Sequence, residues 1–561
     1  MKKLFNHLRL FLFFSALVML LVSCSNSVVL ESPIEDTALE GESPIEDTTL
    51  EEESPIEDAA LEEPSYTLNI TQQPAFTVVS YNQSATLSCK AESECQPVSY
   101  QWYKCSDMSG SNAELISGAT SNSYETPVFT EKEIRYYYCI VKDAVEEKKS
   151  EITAVAYTGL PIVKIETVDG GNPSTAKEKH NGRLYLIKNG EIIYDSGENN
   201  EFSIKVRGNA TAGYPKHPYK IKLPKKANLL SEDPLNATEN KDKNWVLLAG
   251  YCDKTLLRTK TGFFVSQLFN EISGNEELYV PNSEFVDVIL NGDYLGNYCL
   301  TDSVKEGTDR LAVNEKMSNP GGIGMVAEWD PNYYAGEPKW IISDVKKYRY
   351  TFKYPDAEDN DITVYSAIAT FGDYVNRFEH AFYDENTSDD WRNYIDIESF
   401  ARWFLAHNIL ANMDTNYFLS KSSSADSSKL VMGPVWDFEW SIGIGWYEGE
   451  RPRPADYWCV MNRWYFEKLF EEHDFKDELK SQWAKLKQEN PNLAAVINSK
   501  MDEFAENISI SQQMNFMRWP ILNQLVSAGG IPLGSYESEL ACDKQFMVNR
   551  IEWLDSVINA L

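Results

Sequence analysis

A chain of 561 residues is too long for one hydrophobic core, so two or three domains are expected. Its 31 Tyr, 25 Phe and 14 Trp supply a substantial core, while a formal net charge of −33 argues against a nucleic-acid partner. Six scattered His residues and the lack of any Cys-x-x-Cys pair argue against a zinc site.

Residues 1–24 carry a positive start (Lys2, Lys3, Arg9), an apolar run (Leu10–Val22) and the sequence Leu21-Val22-Ser23-Cys24. This matches a bacterial lipoprotein signal and is too short for a spanning helix. The expectation is a mature protein anchored through an acylated Cys24 outside the cytoplasm, on an outer membrane or the cell surface. Residues 25–64 form an acidic linker in which 31–63 repeat an 11-residue unit three times: ESPIEDTALEG, ESPIEDTTLEE, ESPIEDAALEE. Low hydrophobicity and dense negative charge predict a disordered spacer, with an acidic ligand for a partner as the alternative.

Residues 65–159 read as all-β, with short Tyr/Val/Thr/Leu runs between Ser/Asn/Gly turns. The order Cys89, Trp102, Tyr137, Cys139 resembles the immunoglobulin fold, which implies a Cys89–Cys139 disulfide with Trp102 packed on it. Cys95 and Cys105 are a candidate second bridge. The spacing of Cys252, Cys299, Cys459 and Cys542 assigns them no partners.

From 160 to 561 the pattern is mixed. Strands are predicted at 161–168, 182–187, 202–206 and 219–223, then at 285–290 and 294–300, joined by the strong hairpin turn Asn291-Gly292. The run Asn244–Leu248, followed by Asp253 and Leu257-Arg258, leads into the first long helix, predicted at 255–268 with Asp253 as its N-cap. A turn at Asn319-Pro320-Gly321-Gly322 precedes the apolar run Ile323–Ala327 and Glu328-Trp329-Asp330. Amphipathic helical stretches follow at 364–383, 397–412, 461–487, 492–506 and 541–560.

Two stretches carry candidate chemistry. Between 205 and 226 stand seven Lys/Arg and no acid, including Lys205, Arg207, Lys216, Lys220 and Lys222. On a strand, Lys220 and Lys222 share one face and Tyr219 and Ile221 the other. Two cations on one face suit phosphate oxygens; a solvated strand face is the alternative. The second stretch is Asn412–Ser441, where a helix delivers Asn412, Asp414 and Asn416, and an apolar strand delivers Asp437 before Phe438. Two carboxylates and a nearby Asn suit Mg²⁺, which takes one or two carboxylates and completes its shell with water and phosphates. Helix caps and solvated charges are the alternative reading.

Together these pieces resemble the CotH family of spore-coat kinases, which have an atypical kinase-like fold. The resemblance rests on Arg207-Gly208-Asn209, Lys216…Tyr219-Lys220-Ile221-Lys222, Trp245…Asp253…Leu257-Arg258, Asn291 to Tyr298, Gly321-Gly322…Glu328, Asn412-x-Asp414 and Trp436-Asp437-Phe438. It implies an α+β domain at 160–561 with a strand-rich N-lobe and a helical C-lobe, after the all-β sandwich at 65–159. It also implies ATP-Mg²⁺-dependent phosphorylation of Ser or Thr in extracytoplasmic proteins. By motif, Asp414 is the catalytic or hydroxyl-orienting acid, and Asp437 and Asn416 are metal ligands. Lys216, Lys220 or Lys222 would hold the phosphates, with Arg207 and Arg258 supporting. The chain has no G-x-G-x-x-G loop and no His-Arg-Asp triplet, and it carries Glu439 and Asp302 where the family often has Asp and Glu.

ATP is scarce outside the cytoplasm, so a kinase there needs external ATP, another donor, or action before export. A non-catalytic surface adhesion protein on a kinase-like scaffold is the competing reading. Stacking of sugars on Trp440, Trp446, Tyr447, Trp458 and Trp464 is a third, weighed against their role as core.

Overall fold

In the computed structural model, residues 67–273, 278–307, 309–313, 322–329, 339–356, 361–444, 451–526 and 531–561 are described. The lipoprotein signal with Cys24, the acidic repeats, the Asn319-Pro320-Gly321 turn, Trp446 and Tyr447 lie outside them. Residues Ser65–Leu561 belong to one unit.

The N-terminal part is all strand: β1 (Leu68–Gln72), β2 (Thr77–Val79), β3 (Thr86–Ser88), β4 (Lys90–Ser93), β5 (Ser99–Cys105), β6 (Glu114–Leu115), β7 (Ser123–Glu125), β8 (Glu133–Lys142), β9 (Glu147–Lys149) and β10 (Thr153–Tyr157). A sheet ordered β2-β10-β8-β5-β6, with β9 on β8, faces the pairs β1–β4 and β3–β7 across a core of Leu87, Cys89, Trp102, Tyr137, Cys139 and Val155. Trp102 is fully buried, and its Nε1 donates to Ser121 O at 2.9 Å, so its one polar atom is satisfied. Cys89 and Cys139 meet in this core as free thiols. The implied disulfide is therefore not formed, and Cys95 and Cys105 are free thiols as well.

Next come β11 (Ile162–Thr167), β12 (Lys179–Lys188), β13 (Glu191–Asp195), β14 (Phe202–Val206), β15 (Tyr219–Ala227), β16 (Asp242–Leu248), helix α1 (Arg258–Ile272), β17 (Ser283–Leu290) and β18 (Asp293–Asp302). The strands run β11-β17-β18-β16-β15-β14-β12, and β12 pairs back onto β11, closing a seven-stranded barrel with β13 outside it. All neighbours are antiparallel except β11 and β17, which are parallel. Closure buries alternate residues: Ile204, Ile221, Trp245, Leu247, Val288 and Leu300 fill the interior, each stabilising the fold by about 1.5–3 kcal/mol. The hairpin turn forms as expected, with φ +51° at Asn291 and +89° at Gly292.

One expectation fails here. Asn244–Leu248 does not enter the first helix; it is most of β16. Trp245 and Leu247 point into the barrel while Asn244 and Leu248 do not, a period of two rather than 3.6. The helix starts ten residues later, at Arg258. Asp253 still serves its start, because its carboxylate accepts from the Arg258 N–H at 2.9 Å and the Thr255 N–H at 3.0 Å.

A second sheet, ordered β20-β21-β19-β22-β23, uses β19 (Met325–Trp329), β20 (Trp340–Ile342), β21 (Arg349–Tyr354), β22 (Tyr417–Lys421) and β23 (Val431–Met432). Around it pack α2 (Ile362–Tyr383), α3 (Ile397–Ile409), α4 (Phe466–Leu469), α5 (His473–Glu489), α6 (Leu493–Asn507), α7 (Ser509–Arg518) and α8 (Tyr536–Asn559). Most of α3 is buried, and Trp440 and Trp464 lie in the same aromatic core. Those two rings are core, not sugar platforms; Trp458 packs against the same core.

The N-terminal sheets and the barrel share a further core in which Val78, Ala154 and Ala156 meet Ile162, Ile289, Tyr294 and Met514 of α7. The fully buried Asp287 ties this seam together, accepting from Thr158 Oγ1 (2.6 Å), Ser511 Oγ (2.7 Å) and the Tyr294 hydroxyl (2.8 Å).

Candidate active site

Helix α3 is started by Asp396, whose carboxylate accepts from Ser399 N–H at 2.8 Å. It ends at Ile409 with Leu410 as C-cap; Ala411 then takes φ +49°, and the Asn412 N–H closes on His407 O at 2.9 Å. The chain turns out of the core there: Asn412 is buried and Asp414 is exposed. It re-enters as β22, whose Phe418 lies opposite Glu328 of β19. Glu328 accepts from Asn416 Nδ2, and its other oxygen lies 3.0 Å from Lys353 Nζ of β21. Asn416, Glu328 and Lys353 are thereby linked across the three central strands of the second sheet, with Asp414 two residues before Asn416.

Asp437 arrives from the other direction. After β23, Val435 and Trp436 are buried and Asp437 is exposed, with φ +64°. A non-glycine residue in the left-handed region is uncommon, although Asp tolerates it better than most. Its carboxyl is pushed up to about 7, first by the surrounding protein and next by the Asp414 charge; Arg207 pulls it down and Glu328 adds to the rise. An open edge and a strongly raised pKa together describe a recess, where solvent reaches the group but protein displaces much of its hydration shell. Arg207 follows β14 on the barrel, 5.6 Å from the Trp436 ring, and the charges of Asp437, Glu328 and Glu439 favour its protonated form against burial. The cleft therefore lies between the barrel and the helical body.

Phe438 is fully buried, stacked on His407 at 5.0 Å and edge-on to Phe263 of α1 at 6.2 Å. It lies against Gly262, where a Cβ would overlap the phenyl ring. Gly262→Ala is expected to destabilise the fold by about 1–3 kcal/mol through overpacking, read by denaturant titration. An unchanged midpoint would mean that the ring gives way freely.

Other cations expected at the phosphates are used elsewhere. Lys216 is 1% exposed, and its ammonium donates to Ala249 O (2.6 Å), Asn297 O and Asn515 Oδ1 (2.8 Å), pinning the barrel to α7. Burial lowers its pKa to about 7. Arg258 is also buried, donating to Asp253, to Asp543 at 2.6 Å and to Ser441 O at 3.0 Å. Lys220 and Lys222 do share an exposed face of β15, with Tyr219 and Ile221 inside, so the predicted alternation holds. Neither is among the charges acting on Asp437.

Glu439, two residues past Asp437, accepts from the Cys252 N–H at 3.0 Å and is likewise pushed up to about 7, first by burial. Asp302 stands apart from the cleft, buried among Asn240 Nδ2 (2.7 Å), Asn282 N (3.0 Å) and the Tyr279 hydroxyl (3.2 Å). Glu328, Lys353, Gly262 and His407 are the site residues to which sequence reasoning gave no role. Glu328 alone had a local signal, an acid closing an apolar run.

Among the described residues, no group of three or more His, Cys, Asp or Glu side chains is close enough to hold a metal ion unaided. A cation sharing phosphate oxygens needs fewer, and the mutual repulsion of Asp414 and Asp437 is what such a cation would relieve. Two carboxylates and a side-chain amide are donor types that Mg²⁺ accepts. No curated protein matches the chain. A family model described as CotH kinase protein matches residues 204–554, which include the barrel strands from β15 onward, Arg207, Asp414 and Asp437. The chain belongs to the CotH kinase protein family.

Proposed function

We propose that the chain is a lipid-anchored, extracytoplasmic protein kinase that moves phosphate from ATP to Ser or Thr hydroxyls of other proteins. The observation that carries this reading is the pair Asp414 and Asp437, whose charges act on each other at an open cleft inside the family-matched region. Asp414, on the exposed loop after α3, orients the acceptor hydroxyl and takes its proton. Asp437 and the Oδ1 of Asn416 hold Mg²⁺, since the Asn416 amide nitrogen is committed to Glu328. When bound, Mg²⁺ supplies charge neutralisation at the phosphate oxygens. Arg207 is the cation assigned to the phosphates, because the donors of Lys216 and Arg258 are spent on buried acceptors.

The barrel closes through β11 and β12, which favours a catalytic domain beginning near residue 160 with β11–β18 as its N-lobe and the helices as its C-lobe. The core around Trp102 and Tyr137 favours an immunoglobulin-type sandwich at 65–159 as a spacer or binding module. Export and acylation at Cys24 rest on the signal-like first 24 residues.

Incubation of the purified protein with radiolabelled ATP, Mg²⁺ and dephosphorylated casein tests the reading. Label is expected on Ser or Thr, with Asp414→Asn reducing the rate by about 10²–10⁴-fold, the range for loss of a general base. Equal labelling by wild type and variant would remove Asp414 from the reaction.

A further inference from the structure

Asn412 and His407 form a polar unit behind the cleft. The Asn412 Nδ2 lies 3.0 Å from Asp437 O and 3.2 Å from His407 Nδ1. A carbonyl only accepts, so the amide must present its two N–H groups to both partners. The reverse orientation would press Oδ1 against a carbonyl oxygen. His407 Nδ1 is then an acceptor and the ring carries its proton on Nε2. The ring is fully buried and held neutral, with burial lowering its pKa to about 3, so this tautomer persists across the working range. His407 Nε2 and Asn412 Oδ1 are both buried without a hydrogen-bond partner among the described residues. Two unsatisfied groups weaken a fold, so the arrangement is not explained by stability alone.

The same imidazole has a second contact. It stacks on Phe438 at 5.0 Å with 20° between planes, and Trp403, one turn back on α3, lies 4.0 Å from it. The residue before Phe438 is Asp437, with φ +64°. One buried residue of α3 therefore controls both sides of the Asp437 backbone: the carbonyl through Asn412, and the following side chain through ring stacking. We propose that His407 and Asn412 are positioning residues for Asp437, fixing its left-handed backbone and so the direction in which its carboxylate enters the cleft. The unit works without touching substrate, from a helix whose other residues are core. This inference rests on the metal-binding role given to Asp437.

The test uses Asn412→Ala and His407→Phe, the latter keeping the stacked ring and removing the acceptor. Leu486→Ala, a buried residue of α5, serves as a control destabilised by ordinary cavity formation. In crystal structures of the two variants, the Asp437 φ is expected to leave the left-handed region. Titration of Mg²⁺ at fixed ATP is expected to show at least a tenfold weaker affinity for the metal, that is, a tenfold higher half-saturating Mg²⁺ concentration, in both variants. Affinity for metal-free ATP should stay within twofold, and the control should match wild type. An unchanged Asp437 backbone in Asn412→Ala overturns the inference whatever the wild type does with nucleotide. Unchanged Mg²⁺ dependence in both variants, beside a metal-dependent wild type, also overturns it. A wild type indifferent to Mg²⁺, with Asp437 displaced in the variants, leaves the positioning intact and refutes the kinase reading instead.

Discussion

Asp437→Asn is expected to lower phosphoryl transfer by about 10²–10³-fold or more while leaving the fold in place. The substitution keeps shape and removes the charge on which a divalent cation depends, and one preorganised electrostatic contact to a transition state is worth about that much. The fold tolerates it because Asp437 is open to solvent on one edge and its carbonyl, not its carboxylate, holds the contact with Asn412. A pH dependence follows from the raised carboxyl. With a pKa near 7 before any cation binds, a proton competes with metal below pH 7, and apparent Mg²⁺ affinity falls by up to about tenfold per pH unit. The stability effect has the opposite sign. A folded pKa above the ordinary 3.8 means that the metal-free fold binds this proton more tightly than the unfolded chain. The group therefore favours folding as pH falls from about 7 toward 4. Steady-state rates at several Mg²⁺ concentrations across pH 5–9 check the first point and denaturant titration of the metal-free protein between pH 7 and 4 the second, and Asp437→Asn should lose the acid limb together with the rate.

Arg258→Leu is expected to cost about 3–5 kcal/mol of stability, the range for removing one partner from a buried ion pair. Arg258 is 1% exposed and sits between Asp253 and Asp543, both buried. Without it, Asp253 loses its counter-charge, and Asp543, already pushed up to about 7 by burial, keeps Arg451 at 3.3 Å and the Thr255 hydroxyl at 3.4 Å. Part of the loss should reach the cleft. Arg258 Nε holds Ser441 O at 3.0 Å, and Ser441 Oγ donates to Phe438 O at 2.8 Å, so this cluster anchors the chain just past Asp437. Denaturant titration followed by tryptophan fluorescence measures the stability, and a change below about 1 kcal/mol would mean that water enters and solvates the two acids.

The comparison with the sequence is clearest at these residues. Strand β15 was legible because one buried face forces alternation over its first half, β14, β17 and β18 because they are short runs buried over most of their length, and the Asn291-Gly292 turn because few residues accept two positive φ angles in a row. Asp414 and Asp437 were legible for a related reason: each follows an apolar run that must stop at a surface. The run before Asp437, however, continues past β23 outside any sheet. Strand β16 was missed because Trp-Val-Leu-Leu suits helix and strand alike, and barrel closure decides between them. Arg258 and Lys216 were expected at the phosphates, and the partners that occupy them in the structure are distant in sequence. Asp543 lies 285 residues beyond Arg258 and Asn515 lies 299 beyond Lys216, so a basic residue with a phosphate-like spacing was in truth half of a buried pair. Glu328, Lys353 and His407 had the same difficulty, since each joins the site through sheet pairing or stacking rather than local spacing. Cys89 and Cys139 were brought together as expected, but as thiols.

The central claim is a metal-dependent nucleotide site at Asp437, and calorimetric titration of ATP into the purified protein, with Mg²⁺ and then with chelator, tests it most directly. Saturable heat is expected with Mg²⁺, weakened strongly by chelation and in Asp437→Asn. Absence of binding at millimolar ATP in the presence of Mg²⁺ would contradict the claim and leave the cleft to a non-catalytic surface protein.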